Sequence, residues 1–138
     1  MAKSILFLCN LNTVRSPMAA ALLRLSNDTD FIVESAGIEE GDQDPFVEAV
    51  MEEMGETLNH VPKSLDQLLL DDYDEIIALT PHAAMTVRER APNAMIEFWD
   101  IENPSNVVGS RTAIIESYRG CRKVLAIKIA SRFASNEH

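Results

Sequence analysis

The stretch Cys9-Asn10-Leu11-Asn12-Thr13-Val14-Arg15-Ser16 follows the apolar run Ile5-Leu6-Phe7-Leu8 and precedes Pro17-Met18-Ala19-Ala20-Ala21-Leu22-Leu23. This order predicts a buried strand, a short loop and a helix with proline in its first turn. A loop that passes directly into a helix turns several backbone N–H groups inward, and the helix amino terminus adds partial positive charge at the same place. The stretch therefore predicts a concave site for an anion.

The chemistry of this loop depends on a cysteine and an arginine. Arg15 carries a planar fork of donors that suits a tetrahedral oxyanion. Cys9 stands at the end of the strand, where the field of the loop favours a thiolate over a thiol. These residues predict a nucleophile beneath a bound phosphate. The alternative is a purely structural role, with Cys9 as a buried residue at the end of the strand and Arg15 as a surface residue beside it.

The loop resembles that of the low-molecular-weight protein tyrosine phosphatases, which has the form Cys-x5-Arg-Ser directly after the first strand. Asn12 matches an asparagine of that family, and asparagine tolerates the left-handed backbone that a tight loop needs. The resemblance implies a catalytic set of Cys9, Arg15 and Ser16, in which the Ser16 hydroxyl donates to the Cys9 thiolate. It also implies a phosphate-binding set made of Asn10, Leu11, Asn12, Thr13, Val14 and Arg15.

Composition limits the class of protein and its partners. The chain has 138 residues, of which 46% are hydrophobic, so we expect one domain with a sizeable core. The 12 basic and 22 acidic residues give a formal net charge of −10. A surface this acidic repels nucleic acid and anionic lipid, and we expect neither as a partner.

The two cysteines, Cys9 and Cys121, belong to no Cys/His cluster, so we expect no metal site. The resemblance implies chemistry that needs no organic cofactor. Two cysteines also make no disulfide framework, which favours a reducing cytoplasm. The apolar run near the amino terminus is too short for a signal peptide or a membrane span.

Hydrophobic periodicity predicts four alternations of strand and helix. The predicted strands are 4–8, 31–37, 75–80 and 94–99. The predicted helices are 16–26, 45–54, 64–70, 81–90 and 110–134, with a turn at 27–30 and a frayed tail at 135–138. This alternation predicts a single α/β domain whose four-stranded parallel sheet has helices on both faces. The resemblance implies the strand order 2-1-3-4.

Several residues outside the loop receive supporting or structural roles. Ser35-Ala36-Gly37 ends the second strand, and its small side chains predict a close approach to the loop. Cys121 recurs at helical spacing on the core face of the last helix. His60 receives no chemical role. His82, near the carboxyl end of the third strand, is a candidate for the site, against the alternative of a solvated histidine in the first turn of a helix.

The loop after the fourth strand departs from the family. The family carries an Asp-Pro pair there, whose aspartate protonates the leaving oxygen, whereas this chain has Asn103-Pro104. A positioned acid contributes roughly 100- to 10,000-fold to such a step. Three hypotheses follow: Asp100 or Glu102 takes the role, the enzyme is slow and favours good leaving groups, or the site binds phosphate with little turnover.

The leading functional hypothesis is a cysteine-dependent phosphatase of the phosphotyrosine type. Its expected partners are a phosphorylated protein or a small aryl phosphate, with inorganic phosphate as product or inhibitor. One alternative is a non-catalytic protein that binds phosphate or a phosphopeptide. Another is an arsenate reductase, although the thioredoxin-coupled kind needs further cysteines. Val14 stands where the family often has a second cysteine, so Cys9 has no resolving thiol nearby.

Overall fold

The computed structural model describes residues 3–26, 30–58 and 60–133, and its centre is a sheet of four parallel strands. The strands are β1 (Lys3–Cys9), β2 (Phe31–Gly37), β3 (Glu75–Ala78) and β4 (Ile96–Phe98). They lie in the order β2-β1-β3-β4, which confirms the predicted fold class and strand order. Most of the predicted turn at 27–30 and the whole tail at 135–138 lie outside the described residues.

Helices cover both faces of the sheet. They are α1 (Arg15–Leu25), α2 (Pro45–Glu52), α3 (Pro81–Arg90) and α4 (Arg111–Arg132). Alternate residues of a strand point to opposite faces. Accordingly, Ile5 and Phe7 pack in one core with α1, α2 and α4, whereas Leu6 and Leu8 pack in a second core with α3. The predicted helices on both faces are therefore confirmed.

The central strand β1 fixes the position of the candidate site. It pairs with β2 on one side and β3 on the other, and residues 5–8 are 0% exposed. Cys9 is the last residue of this strand and lies opposite Gly37 of β2. The loop that follows therefore begins at the carboxyl edge of a parallel sheet, where α/β folds bind ligands.

The long helix α4 packs as the periodicity predicted. The Ser110 side chain caps it by accepting a hydrogen bond from the N–H of Ala113 at 3.1 Å. Buried residues recur along one face at spacings of three and four; they are Tyr118, Cys121, Leu125 and Ile129. This face closes the core over α1 and α2.

The predicted helix at 64–70 is wrong in form. The chain instead makes two 3-10 turns, Leu65–Gln67 and Leu70–Asp72. Ser64 does cap the first turn, but the backbone becomes extended at Leu68, with φ −125° and ψ 157°. Residues five apart lie about 140° apart around an α-helix. Leu65 and Leu70 are both buried in the same core, so the chain bends between them to bury both.

Some predicted elements end earlier than expected. Both β3 and β4 are shorter than the predicted strands 75–80 and 94–99, and α2 ends at Glu52. Asp44 caps α2, since its side chain accepts hydrogen bonds from two backbone N–H groups of the first turn. Within the ranges that the structure describes, none of the helices has the length and hydrophobicity needed to cross a bilayer.

Candidate active site

The loop from Cys9 to Ser16 joins β1 directly to α1. Cys9 is 2% exposed, and its Sγ lies 2.9 Å from Ser16 Oγ. Ser16 Oγ accepts a hydrogen bond from Asn12 Nδ2 at 2.8 Å, and its own proton has two acceptors within reach, Cys9 Sγ and the Ala36 carbonyl oxygen at 3.3 Å. The Cys9 sulfur therefore lies at the base of the loop, within hydrogen-bond distance of a buried hydroxyl.

Asn12 holds the loop in its tight conformation. Its φ is 57°, the left-handed region in which asparagine is among the best tolerated residues, and it is 0% exposed. Besides Ser16, its Nδ2 donates to Ser35 Oγ at 3.0 Å, and its Oδ1 accepts from the N–H of Lys63 at 2.9 Å. One side chain thus ties two distant segments, the end of β2 and the stretch at Lys63, to the loop.

Replacing Asn12 by alanine is expected to lower the free energy of unfolding by about 3 to 5 kcal/mol, because buried partners lose their hydrogen bonds and a Cβ residue is forced to φ > 0. Asn12→Gly is the matched control. It removes the same side chain but tolerates the backbone, so its loss is expected to be smaller by about 1 kcal/mol. Urea unfolding measures both. An alanine variant as stable as the wild type would contradict this account.

The end of β2 lies directly against the loop, as its small residues predicted. A Cβ added to Gly37 would lie 2.7 Å from the Asn12 nitrogen and 2.5 Å from the Glu39 carbonyl oxygen. Real Cβ atoms do not approach backbone so closely, so only glycine fits here. The supporting role of Ser35-Ala36-Gly37 is therefore visible in both contact and hydrogen bonding.

His60 also contacts the loop, which sequence reasoning missed. Its Nε2 lies 2.7 Å from the Asn12 carbonyl oxygen; because a carbonyl only accepts, Nε2 carries the proton and donates. Burial lowers the pKa of His60, since desolvation disfavours the charged imidazolium. In the sequence, the one sign of this contact is that His60 lies in a connecting stretch, where a lone histidine usually has a structural role.

The free energy of unfolding is expected to decrease as the pH is lowered, because His60 takes up a proton less readily in the folded state than in the unfolded state. An unfolded histidine takes up its proton near about pH 6.5, and the folded one does so only at lower pH. Its contribution to stability is complete above the unfolded pKa and is lost as the pH falls from there through the lower folded pKa. Urea unfolding between about pH 7 and 5 measures the slope. We expect the free energy of unfolding of His60→Gln to depend less steeply on pH than that of the wild type. Equal slopes for the variant and the wild type would contradict the prediction.

A cleft of about 380 Å³ opens above the loop. The loop contributes most of the residues predicted to act on phosphate: Cys9, Asn10, Leu11, Thr13, Val14 and Arg15. The opposite walls contribute Ile38, Glu39, His82, Asn103 and Ser105. Asn12 and Ser16 lie behind the wall, both fully buried. Sequence reasoning missed Glu39, although its position just after β2 is the usual edge for ligands.

Two hydrogen bonds join the loop to neighbouring segments. Arg15 Nη1 donates to the carbonyl oxygen of Ile101 at 3.0 Å. Thr80 Oγ1 donates to Asn10 Oδ1 at 2.8 Å and accepts from the N–H of Ala83, which caps α3. The cleft walls are therefore anchored to the loop itself. Among the described residues, no group of three or more His, Cys, Asp or Glu side chains could hold a metal ion.

The predicted substitute acids lie away from Cys9. Asp100 and Glu102 line a second cavity of about 660 Å³, between the loop after β4 and α4. Asn103 borders both cavities, and its Oδ1 accepts hydrogen bonds from the Ser105 N–H at 3.0 Å and the Ser105 hydroxyl at 2.7 Å. The structure therefore brings Asn103 to the cleft and leaves both carboxylates behind it.

The second cysteine is buried in the core and also borders the second cavity. Burial raises the pKa of the Cys121 thiol to about 11. The group is therefore protonated at neutral pH and is a poor nucleophile in disulfide exchange.

Hydrogen peroxide is expected to oxidise Cys9 to its sulfinic and sulfonic acids, because no thiolate stands ready to trap the sulfenic acid. Mass spectrometry of the digested protein measures the products. Cys121→Ser is the control and should give the same acids. A Cys9–Cys121 disulfide in good yield would show that the prediction is wrong.

A model of the family described as low molecular weight phosphotyrosine protein phosphatase matches residues 4–125. The arsenate reductase of Staphylococcus xylosus is 33% identical over 104 residues, which cover 75% of this chain and 79% of that protein. The glutaredoxin arsenate reductase of Synechocystis sp. is 27% identical over 119 residues, which cover 86% of this chain and 88% of that protein.

Solved structures share the whole fold. The YwlE arginine phosphatase from Geobacillus stearothermophilus has a TM-score of 0.77 and 28% identity, covering 99% of this chain and 98% of that one. The low molecular weight protein tyrosine phosphatase from T. tengcongensis has a TM-score of 0.81 over 96% of this chain and 98% of that one. Its identity is 22%, so this second likeness concerns the fold alone.

Proposed function

Since the chain belongs to the low molecular weight phosphotyrosine protein phosphatase family, we propose that it hydrolyses phosphate monoesters of the phosphotyrosine type through a phosphocysteine at Cys9. It is a hydrolase of the protein-tyrosine-phosphatase kind. The observation that carries the proposal is the 2.9 Å contact between Cys9 Sγ and Ser16 Oγ, below a cleft that Arg15 borders. That contact supports a thiolate ready to act on a tetrahedral anion.

In the first step, the Cys9 thiolate attacks phosphorus while the bond to the leaving oxygen breaks. Arg15 and the backbone N–H groups of 10–15 hold the three non-bridging oxygens and stabilise the charge that develops on them. The hydrogen bond from Arg15 to the Ile101 carbonyl limits the freedom of the guanidinium before substrate arrives. Such restraint lowers the entropic cost of reaching the transition state.

In the second step, water attacks the phosphocysteine and the sulfur leaves as a thiolate. Ser16 Oγ lies 2.9 Å from that sulfur and stabilises it by donating a hydrogen bond, with the hydroxyl proton that otherwise faces the Ala36 carbonyl oxygen at 3.3 Å. A leaving thiolate that receives a hydrogen bond leaves more readily. The buried network behind the loop thus serves the breakdown of the intermediate.

The loop after β4 brings no acid to the cleft, so this loop by itself predicts a low rate for poor leaving groups. Asn103 has no proton to donate, and Asp100 and Glu102 line the second cavity, so either would act only after the loop rearranges. This arrangement favours a slow phosphatase over one with a substitute acid on that loop. A protein that binds phosphate with little turnover is the next alternative, ranked lower because such a site does not need Cys9.

Phosphoarginine is a second candidate substrate. The arginine phosphatase from Geobacillus stearothermophilus is 28% identical over nearly the whole chain. The Glu39 carboxylate borders the cleft and has the charge to pair with a guanidinium beside the phosphate. Arsenate reduction, the activity named for several sequence relatives, ranks below both because the buried Cys121 is a poor nucleophile in disulfide exchange.

The test compares matched peptides that carry phosphotyrosine, phosphoserine or phosphoarginine, by the release of inorganic phosphate. The proposal expects phosphotyrosine to be fastest. Faster release from phosphoarginine, reversed by Glu39→Gln, would favour the second candidate. Tight binding of inorganic phosphate without release from any peptide would contradict the enzyme and favour the binding protein.

A further inference from the structure

We propose that His82 is the general acid that protonates the leaving oxygen. Asn103, which stands at the general-acid position of the family, has an amide side chain and cannot do so. This inference rests on the function proposed above, because it concerns the same cleft and the same reaction. Among the residues that the structure describes, the titratable or charged side chains that border the cleft are Cys9, Arg15, Glu39 and His82. Cys9 is the nucleophile, and an arginine keeps its proton throughout. The donor is therefore Glu39 or His82.

The turn that carries His82 is fixed to the phosphate-binding loop. Thr80 caps α3 through its hydroxyl oxygen and donates the same hydroxyl to Asn10 Oδ1 at 2.8 Å. Pro81 follows at the first helical position, where its ring restrains φ. His82 is the next residue, so its backbone keeps one position relative to Cys9 without help from the loop of Asn103.

The imidazole of His82 is free to act. The backbone carbonyl of His82 accepts a hydrogen bond from Thr86 at 2.9 Å, but its ring has no hydrogen-bond or ion-pair partner in the part of the chain that the structure describes. Its side chain is exposed at the mouth of the cleft. Histidine is the side chain that most often transfers a proton to or from a reacting group in enzymes. This chemistry favours His82 over Glu39.

His82 gives up a proton in the first step and recovers one in the second. When the Cys9 sulfur binds phosphorus, the bond to the leaving oxygen breaks and its electron pair takes the proton of the His82 imidazolium. The alcohol or phenol departs, and a neutral imidazole remains. In the second step the imidazole accepts a proton from the attacking water, and the P–S bond breaks with its electron pair returning to sulfur. Thiolate and imidazolium are both restored.

The experiment compares two aryl phosphates of similar shape, 4-nitrophenyl phosphate and phenyl phosphate. Only the second has a leaving oxygen basic enough to need a proton. We expect His82→Gln to lower kcat for phenyl phosphate by about 100-fold and to leave kcat for 4-nitrophenyl phosphate nearly unchanged. KM is expected to change little for either substrate. The alkaline decline of kcat on phenyl phosphate should disappear in the variant.

Two further variants make the result specific. Glu39→Gln is expected to change kcat for the two substrates by the same factor. In an Asn103→Asp background, His82→Gln should lower kcat for phenyl phosphate much less than in the wild type, because the new carboxyl donates the proton instead. Equal losses on both substrates, or a selective loss in Glu39→Gln alone, would overturn the role of His82. A wild type that hydrolyses neither substrate would overturn the proposed function and this inference together.

Discussion

Replacing Cys9 by serine is expected to lower turnover of an activated aryl phosphate by at least about 10,000-fold, because the nucleophile is lost while the rest of the site remains. A serine hydroxyl at this position is a far weaker nucleophile than a thiolate at neutral pH. The backbone cradle and Arg15 are untouched, so inorganic phosphate should bind about as tightly as in the wild type. Release of the phenol measures turnover, and calorimetry measures phosphate binding.

Cys121→Ser is the matched control for that experiment. The chain has two free cysteines, and Cys121 lies on the core face of α4, bordering the second cavity rather than the cleft. The control is expected to retain most of the turnover, with some loss of stability because a hydroxyl replaces a buried thiol. Equal loss in the two variants would mean that the cysteines act through stability, and the role given to Cys9 would be wrong.

Asn103→Asp is expected to raise turnover of phenyl phosphate by up to about 100-fold, because a carboxyl at this position donates a proton to the leaving oxygen. A positioned acid contributes at most about 10,000-fold, and His82 already supplies about 100-fold of that in the wild type. The side chains have the same shape. Asn103 already borders the cleft, and the two hydrogen bonds from Ser105 hold one oxygen of its side chain. The second oxygen of the new carboxyl would replace the amide nitrogen. Hydrolysis of 4-nitrophenyl phosphate should rise much less.

The pH dependence of this gain follows from the same contacts. Hydrogen bonds that Ser105 donates to the new carboxyl favour its ionised form, so the gain should be largest at acidic pH and the profile should become bell-shaped. Ser105→Ala in the Asn103→Asp background should move the optimum towards neutral pH. Asn103→Ala is the control, because alanine has no proton to donate, and its turnover of phenyl phosphate should not exceed that of the wild type. An Asn103→Asp variant no faster than the wild type would show that this loop does not reach the leaving oxygen.

Local signals were enough for most of the fold. Apolar runs located all four strands, and hydrophobic periodicity located four helices that the structure confirms, two of them capped by Asp44 and Ser110. The prediction failed at 64–70, where Leu65 and Leu70 compete for one core and the chain breaks into two turns. Burial of both side chains is a tertiary demand, and helical propensity in that segment does not outweigh it.

For the candidate site, local sequence is enough to predict the order strand, loop and helix, and with it the neighbourhood of Cys9, Ser16 and Arg15. Those residues lie within eight positions of one another, so backbone geometry alone holds them together. Which distant groups face them depends on how the whole chain folds. His60 reaches the Asn12 carbonyl across 48 positions, and Asn10 meets Thr80 across 70. Such contacts depend on how parallel strands align at their carboxyl ends, which no local pattern encodes.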